Sequence, residues 1–245
     1  MTLPTAKTDL PFVTTDQMRE VDRIMIEDLG ITLLQMMENA GRGLARFAAT
    51  KVQGPSRIAV LAGSGGNGGG ALVAGRRLAG WGHQVDAFVT GPAASAGPAA
   101  QHQRAILEAM GVRVTEGRPQ ERYDLVLDGV IGYSLLGAPR GAAADLIRWA
   151  NDQDAPVVSL DVPSGLDATT GEAPGPVVRA VATCTLALPK TGLRAPEAAG
   201  AVGEVILMDI AVPSSAYAAP SLGLSVESPF EASDLVRIVI AVPGR

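Results

Sequence analysis

Residues 63–70 include six glycines in eight positions, and the sequence on either side predicts a phosphate-binding site. The segment follows the apolar run 57–62 and precedes a stretch of helical character. Glycines let backbone N–H groups approach an anion, and the N-terminus of the following helix adds roughly half a positive charge. A plain tight turn is the weaker interpretation, because so many glycines cost chain entropy. The pattern therefore predicts that the chain binds a nucleotide.

Two aspartates each end an apolar run and precede a short loop. Asp128 follows the run 125–127, and Asp161 follows the run 157–160. A carboxylate at the mouth of a buried strand is partly desolvated, which raises its pKa towards the range useful for proton transfer. Two structural alternatives stay open. Asp128 could only cap or order its loop, and Asp161 could fix its own turn as an Asx motif.

Ser164 and Lys190 are further candidates, in the loops after Asp161 and after the run 183–188. An ordinary turn serine and a solvated loop lysine are the alternatives. Ligands of open parallel sheets bind outside the carboxyl ends of the strands. The three kinds of loop, carrying glycines, aspartates and a lysine, are therefore expected to face one crevice.

The elements that must position these residues alternate between strand and helix. This order predicts an α/β fold, a three-layer, Rossmann-like, mostly parallel sheet with helices on both faces. Strands are predicted at 57–62, 84–89, 112–116, 123–128, 156–161, 183–188 and 204–210, and helices near 69–81, 98–110 and 141–152.

A capping box at Thr14 and Gln17 predicts a first helix that ends at Gly30, and a second helix is predicted over 33–50. We interpret these as an N-terminal helical appendage to a single domain, residues 1–217. Residues 218–245 are predicted to add an edge strand or to remain a tail.

The glycine segment also fits the G-x-G-x-x-G pattern of dinucleotide-binding dehydrogenases, through Gly63, Gly65 and Gly68. That function needs an acidic residue at the end of the second strand. Asp86 is the candidate, but it falls inside the predicted strand, and the strand end is Val89-Thr90-Gly91. The dehydrogenase interpretation therefore fits poorly.

The amino-acid composition argues against some classes of binding partner. The 245 residues are 47% hydrophobic and 18% charged, with a net charge of −5 and no basic stripe, which argues against a nucleic-acid partner. No apolar run reaches the ~20 residues that span a bilayer, so no membrane partner is expected. The one cysteine, Cys184, lies in an apolar run, as expected of a core residue in a reducing cytoplasm.

Several motifs together resemble the NAD(P)H-hydrate epimerases, the YjeF N-terminal domain proteins. The resemblance covers residues 17–217 and rests on their order and spacing rather than on any single one. The motifs are Gln17-Met18-Arg19 with Asp22, Met37-Glu38-Asn39-Ala40-Gly41, the glycine segment, Leu127-Asp128-Gly129-Val130-Ile131-Gly132, Leu160-Asp161-Val162-Pro163-Ser164-Gly165-Leu166-Asp167 and Pro189-Lys190-Thr191-Gly192-Leu193.

The resemblance implies interconversion of the R and S forms of hydrated nicotinamide cofactors at C6 of the ring. It implies Asp128 as the acid/base and a potassium ion held by Asn67, Asp128 and Ser164, all oxygen donors as a hard cation requires. The implied contacts to the nicotinamide nucleotide hydrate come from Gly66, Asn67, Gly68, Gly69, Gly70, Gly132, Tyr133, Ser134, Leu135, Leu136, Gly137, Ala138 and Asp161.

The chain departs from the family inside the glycine segment, whose usual pattern is G-x-G-N-N-G-G-D-G. Gly66 replaces the first asparagine, Gly70 the aspartate and Ala71 the last glycine. The first two changes remove side-chain contacts while they keep the backbone N–H groups, which is expected to weaken ligand binding. A non-catalytic nucleotide-binding or scaffold module of the same fold is therefore the alternative function.

The resemblance also implies a homodimer. Methionines and an isoleucine of the first helices are predicted to offer more apolar surface than two helices can hide, unless they only cover the sheet. These residues are Met18, Ile24, Met25, Met36 and Met37.

Overall fold

The fold is built on one sheet of eight strands, seen in a computed structural model that describes residues 3–6 and 10–240. The strands are β1 (Arg57–Ala62), β2 (Gln84–Val89), β3 (Arg113–Glu116), β4 (Leu125–Gly129), β5 (Val157–Leu160), β6 (Ala182–Leu186), β7 (Glu204–Met208) and β8 (Leu235–Ile238). They lie in the order β3-β2-β1-β4-β5-β6-β7-β8. All neighbours are parallel except β7 and β8, so the prediction of a mostly parallel sheet is confirmed.

Helices cover both faces of the sheet. They are α1 (Thr15–Arg23), α2 (Leu33–Ala48), α3 (Gly66–Gly80), α4 (Pro98–Ala109), α5 (Gly141–Asn151), α6 (Ala199–Val202) and α7 (Ser214–Tyr217). The core on one face includes buried residues of α2, α3 and α4, whereas α5 packs on the other face against Leu61 and Val126. The three-layer α/β prediction is therefore confirmed.

The strand order reverses between β1 and β4, and ligands of open parallel sheets bind at such a point. The chain runs outward from β1 through β2 to β3, and then returns to the other side of β1 with β4. At such a reversal the loops after the two central strands diverge, which leaves room for a ligand at their carboxyl ends. The glycine segment follows β1, and Asp128 lies near the end of β4.

Helix α3 begins at Gly66, three residues before its predicted start. Glycine has low helix propensity, so the sequence favours a later start. Tertiary packing overrides this preference, because the helix is buried at Gly68, Gly69 and Gly70.

The first helices are less of an appendage than the sequence suggests. Helix α2 packs along α3 and belongs to the layer on that face, and a π-helical turn, Ile24–Asp28, extends α1. The five residues expected to leave an apolar surface are instead buried within the chain. Met18, Ile24, Met25, Met36 and Met37 are each at most 6% exposed, so that basis for a dimer is wrong.

The segment after residue 217 returns to the sheet, where β8 pairs antiparallel with β7. Asp234, just before β8, forms ion pairs with Arg42 and Arg46 of α2. On the other side of β8, Arg237 exchanges backbone hydrogen bonds with Pro4 and Ala6, at 2.8 and 2.9 Å. Residues from near both ends of the sequence thus share the same sheet edge.

Within the ranges that the structure describes, the helices are too short or too polar to cross a bilayer.

Candidate functional site

The glycine segment forms an anion seat from backbone groups. Gly65 is the N-cap of α3 and Gly66 its first residue, and the N–H of Gly69 already bonds to the carbonyl of Gly65 at 3.1 Å. The N–H groups of Gly66, Asn67 and Gly68 have no hydrogen-bond partner among the described residues. Three N–H groups at a helix N-terminus are a ready site for a phosphate oxygen.

Close backbone packing explains why glycine stands at two positions of the seat. A Cβ added at Gly63 would lie 1.9 Å from the carbonyl oxygen of Val130, and one added at Gly68 would lie 2.0 Å from the carbonyl oxygen of Gly63. Either side chain would force the loop after β1 away from α3 or from the loop after β4. Glycine at these two positions therefore lets the loop after β1 pack closely against α3 and against the start of the loop after β4.

Gly69 and Gly70 differ from the other glycines predicted to contact the ligand. Both lie within α3, so their N–H groups belong to main-chain bonds of the helix. A Cβ added at Gly70 would lie 2.9 Å from Leu160 and 3.3 Å from the sulfur of Met37. A side chain at position 70 would thus point into the packed region between α2, α3 and β5. This direction depends on where position 70 lies around the helix, which the motif alone does not show.

Asp128, near the end of β4, is fully buried and accepts hydrogen bonds on both carboxylate oxygens. Oδ1 accepts from the hydroxyl of Ser164 at 2.6 Å and from the N–H of Val130 at 3.3 Å. Oδ2 accepts from the hydroxyl of Ser159 at 2.7 Å and from the N–H of Ser164 at 2.9 Å. Burial raises the pKa of Asp128, and the four donors oppose that shift. Asp128 therefore orders its loop, and the raised pKa of its carboxyl group suits a residue that holds a proton.

Asp161 follows β5 in a left-handed conformation with φ of 70°, which is uncommon for a residue other than glycine. Its Oδ2 accepts the N–H of Tyr133 at 3.1 Å, and its Oδ1 accepts the N–H of Leu186 at 3.3 Å. None of these partners lies in the turn of Asp161 itself. The Asx-motif alternative is therefore wrong, and the backbone strain is held by contacts from the loop after β4 and from β6.

Lys190 is fully buried and forms an ion pair with Asp161. Its ammonium group also donates to the carbonyl of Leu186 at 2.7 Å. The interpretation of Lys190 as a solvated loop lysine is therefore wrong. A buried ammonium needs a charged partner, and this one also fixes the carboxylate of Asp161.

Tyr133 connects the segment 132–138 to α1. Its hydroxyl donates to Asp22 at 2.5 Å, its carbonyl accepts from the hydroxyl of Thr15 at 3.3 Å, and its N–H holds Asp161. Burial raises the pKa of Asp22, which the hydroxyl of Tyr133 opposes. Beyond Tyr133 the segment turns outward, and Leu136 is 86% exposed.

The sequence indicates no role for Asp22 or Thr15. Asp22 lies in one of the family motifs, and its hydrogen-bond partner lies 111 positions away in the sequence. The available signal was a carboxylate on the first helix near buried residues of the same helix. It cannot identify a partner without the tertiary fold.

The three residues predicted to hold potassium each carry an oxygen donor, and the oxygens of Asp128 and Ser164 are already hydrogen-bonded to each other and to neighbouring groups. Positions 67 and 132 are adjacent, since a Cβ added at Gly132 would lie 3.2 Å from Oδ1 of Asn67. The amide nitrogen of Asn67 is buried without a hydrogen-bond partner among the described residues. Because amide oxygen and nitrogen are assigned by their surroundings, rotation of this group can present oxygen instead. The described residues include no cluster of three or more His, Cys, Asp or Glu side chains suited to a metal. The donors at positions 67, 128 and 164 are an amide, a carboxylate and a hydroxyl, which suit a hard cation better than a transition metal.

The geometry thus places a glycine anion-binding site, two buried carboxylates and a buried lysine at the carboxyl ends of neighbouring strands. Sequence comparison identifies the family. Residues 33–192, more than half of the chain, match the family described as YjeF-related protein N-terminus. The chain belongs to this family.

Similar proteins of known name support the assignment to this family. The NAD(P)H-hydrate epimerase of Dehalogenimonas lykanthroporepellens is 45% identical over 231 residues, which cover 92% of each chain. The epimerase of Truepera radiovictrix is 36% identical, over 82% of this chain and 90% of its own. A bifunctional NAD(P)H-hydrate repair enzyme of Hyperthermus butylicus is 39% identical, but the match covers only 36% of that longer protein.

The solved structure of yeast ynu0 shares the fold of the YjeF family member described here. It superposes with a TM-score of 0.76 over 93% of this chain and all of its own, at 21% sequence identity. At that identity the likeness supports the fold alone.

Proposed function

We propose that this protein interconverts the R and S forms of hydrated NADH and NADPH at C6 of the nicotinamide ring. The observation that carries the proposal is the 45% identity to a named epimerase over 92% of both chains. The site supports it, because the anion seat at Gly66, Asn67 and Gly68 lies at the same sheet edge as the carboxylates of Asp128 and Asp161.

The chemistry requires only that protons be held and moved. C6 of the hydrate carries a hydroxyl and the ring nitrogen. When the hydroxyl proton leaves, a C=O bond forms, the C6–N1 bond breaks and N1 takes up a proton. Rotation and reclosure on the other face give the second epimer with no net change in atoms or electrons. We assign proton transfer to Asp128, whose pKa is raised by burial.

We assign substrate binding to Asp161, the exposed part of the segment 132–138 and the anion seat. The pyrophosphate would bind the N–H groups at the start of α3. Lys190 compensates the charge of Asp161 and keeps its carboxylate at a fixed position. Gly69 and Gly70 act as packing positions of the same helix.

A potassium ion is part of the proposal, held by Asn67, Asp128 and Ser164. The support is the all-oxygen donor set, together with the unpartnered buried amide of Asn67. When bound, the ion supplies fixed positive charge beside the carboxylate of Asp128. Such a charge would favour ionised Asp128 and so oppose the effect of burial.

The proposed partner is the nicotinamide nucleotide hydrate, with no nucleic acid and no membrane, and the proposed assembly is a homodimer. A cytoplasmic location is also proposed. Its support is that Cys184, the one cysteine of the sequence, is buried as a free thiol.

An epimerisation assay tests the function directly. Pure R-form hydrate is incubated with the protein, and both forms are followed by chromatography or NMR. We expect equilibration well above the spontaneous rate. A rate equal to the background, with circular dichroism showing folded protein, would exclude the epimerase activity and favour the scaffold alternative, which Gly66 supports because it lacks a ligand-binding side chain.

A further inference from the structure

The strand order divides the candidate site into two halves. Asp128 and Asp161 end or follow β4 and β5, on one side of β1, whereas β2 and β3 lie on the other side. A dinucleotide whose pyrophosphate binds the loop after β1 places its two nucleosides on opposite sides of that loop. If the reacting ring lies beside the aspartates, the adenosine half lies beside the end of β2.

A crevice is present at that end of the sheet. It is a shallow groove between the loop after β1, the end of β2 and α4, with about 10 Å³ of room for a water-sized sphere and otherwise open to solvent. It is lined by Gly63, Ser64, Thr90, Gly91, Ala100 and Arg104, among other residues. No acidic side chain lines it in the part of the chain that the structure describes. Dehydrogenases that prefer NAD use a carboxylate here to bind the ribose 2′-hydroxyl, and this chain has Thr90 at the strand end.

Arg104 presents a positioned cation to the crevice. Its side chain is 17% exposed and is held by Nε donating to Glu108 at 2.8 Å and by Nη1 donating to the carbonyl of Gly91 at 3.3 Å. A guanidinium has five N–H donors. These two bonds leave donors on Nη1 and Nη2 without partners among the described residues. A planar group with free donors suits a phosphate.

We infer that Arg104 and the crevice beside it form a subsite for the 2′-phosphate of the adenosine ribose, so that the protein prefers hydrated NADPH to hydrated NADH. This inference rests on the proposed function for the identity of the substrate. Glu108 opposes the preference, because its carboxylate competes with the phosphate for the guanidinium.

Calorimetry with adenosine 2′,5′-bisphosphate and with 5′-AMP tests the subsite on the full chain. The two ligands differ only in the 2′-phosphate and contain no nicotinamide. We expect the bisphosphate to bind at least tenfold more tightly, and Arg104→Gln to reduce that ratio to near one. Glu108→Gln is expected to increase the ratio. Arg148→Gln, an exposed arginine on α5 and the other face of the sheet, is the matched control and should leave it unchanged.

Equal binding of the two ligands by the unmodified protein overturns the inference, as does a tenfold ratio that survives Arg104→Gln. Should Arg104→Gln fail to fold, the Glu108→Gln protein decides, and a ratio that stays constant or falls counts against the subsite. Epimerisation activity with equal binding of the bisphosphate and 5′-AMP would leave the proposed function intact and exclude the subsite. Tighter binding of the bisphosphate in a protein without epimerisation activity would support the subsite and exclude the proposed function.

Discussion

Asp128 and Asp161 differ in what surrounds each carboxylate. Asp128 accepts four hydrogen bonds from neutral groups and has no cation beside it among the described side chains, whereas Asp161 is paired with the buried ammonium of Lys190. A raised pKa suits a group that gains and loses a proton, and an ion pair suits a group that binds the substrate. This contrast supports separate roles for the two residues.

Asp128→Asn is expected to lower kcat by at least ~100-fold, the usual scale for loss of a general acid/base. Asp161→Asn is expected mainly to raise KM. Steady-state epimerisation kinetics measure both, with thermal melting as the control for folding. The reverse pattern, a lost kcat in Asp161→Asn and only a raised KM in Asp128→Asn, would show that the two roles are exchanged.

Asp22 is expected to make stability depend on pH. Burial raises its folded pKa above the ordinary value of 3.8, so its contribution to stability is full below that value and is lost as pH rises through the folded pKa. Asp22→Asn keeps an oxygen for the hydroxyl of Tyr133 and carries no charge. We expect the variant to melt ~2 °C or more above the unmodified protein at pH 7, with the difference shrinking towards pH 4.

Thermal melts at several pH values measure this effect. The control is Asp16→Asn, because Asp16 is on the same helix and its side chain is 89% exposed. A difference that is constant with pH would exclude titration of Asp22 as its origin.

At the scale of elements, the strands could be predicted because the central ones are buried on both faces. Runs such as 125–127 and 157–160 are hydrophobic without period-2 alternation, and the seven strands predicted begin and end within two residues of their predicted limits. The start of α3 could not be predicted in the same way, because glycine propensity opposes a helix that packing imposes. The partners of Lys190 and Tyr133 also depend on loops that only the folded sheet brings together.

The glycine segment offers a matched pair of substitutions. Gly68→Ala puts a methyl group 2.0 Å from the carbonyl of Gly63, while nothing lies within 4 Å of a Cβ at Gly65. We expect Gly68→Ala to lower the free energy of unfolding by ~2 kcal/mol or more and to disrupt the anion seat. Gly65→Ala should cost no more than ~1 kcal/mol, since only the N-cap changes. Urea denaturation measures both, and equal losses would contradict the packing argument.

For the whole molecule, the proposed homodimer needs a surface other than the buried methionines. Ile26 and Leu29, at the end of the first helical segment, are each 45% exposed. We expect sedimentation to show twice the chain mass of 25.1 kDa, and Ile26→Glu with Leu29→Glu to shift it to the single-chain mass. Trp81→Glu, at an exposed residue just after α3, is the control. A single-chain mass for the unmodified protein at micromolar concentration would dispose of the dimer.

The pairing of Thr5 with Arg237 has a consequence for how the protein is made. During synthesis Thr5 leaves the ribosome long before Arg237 exists, so the outer edge of the sheet cannot be completed until nearly all of this sequence has been translated. The seven parallel strands, by contrast, include all those whose loops carry the aspartates and the glycine segment. The site can therefore assemble during translation, whereas closure of the last edge is a late step that follows it.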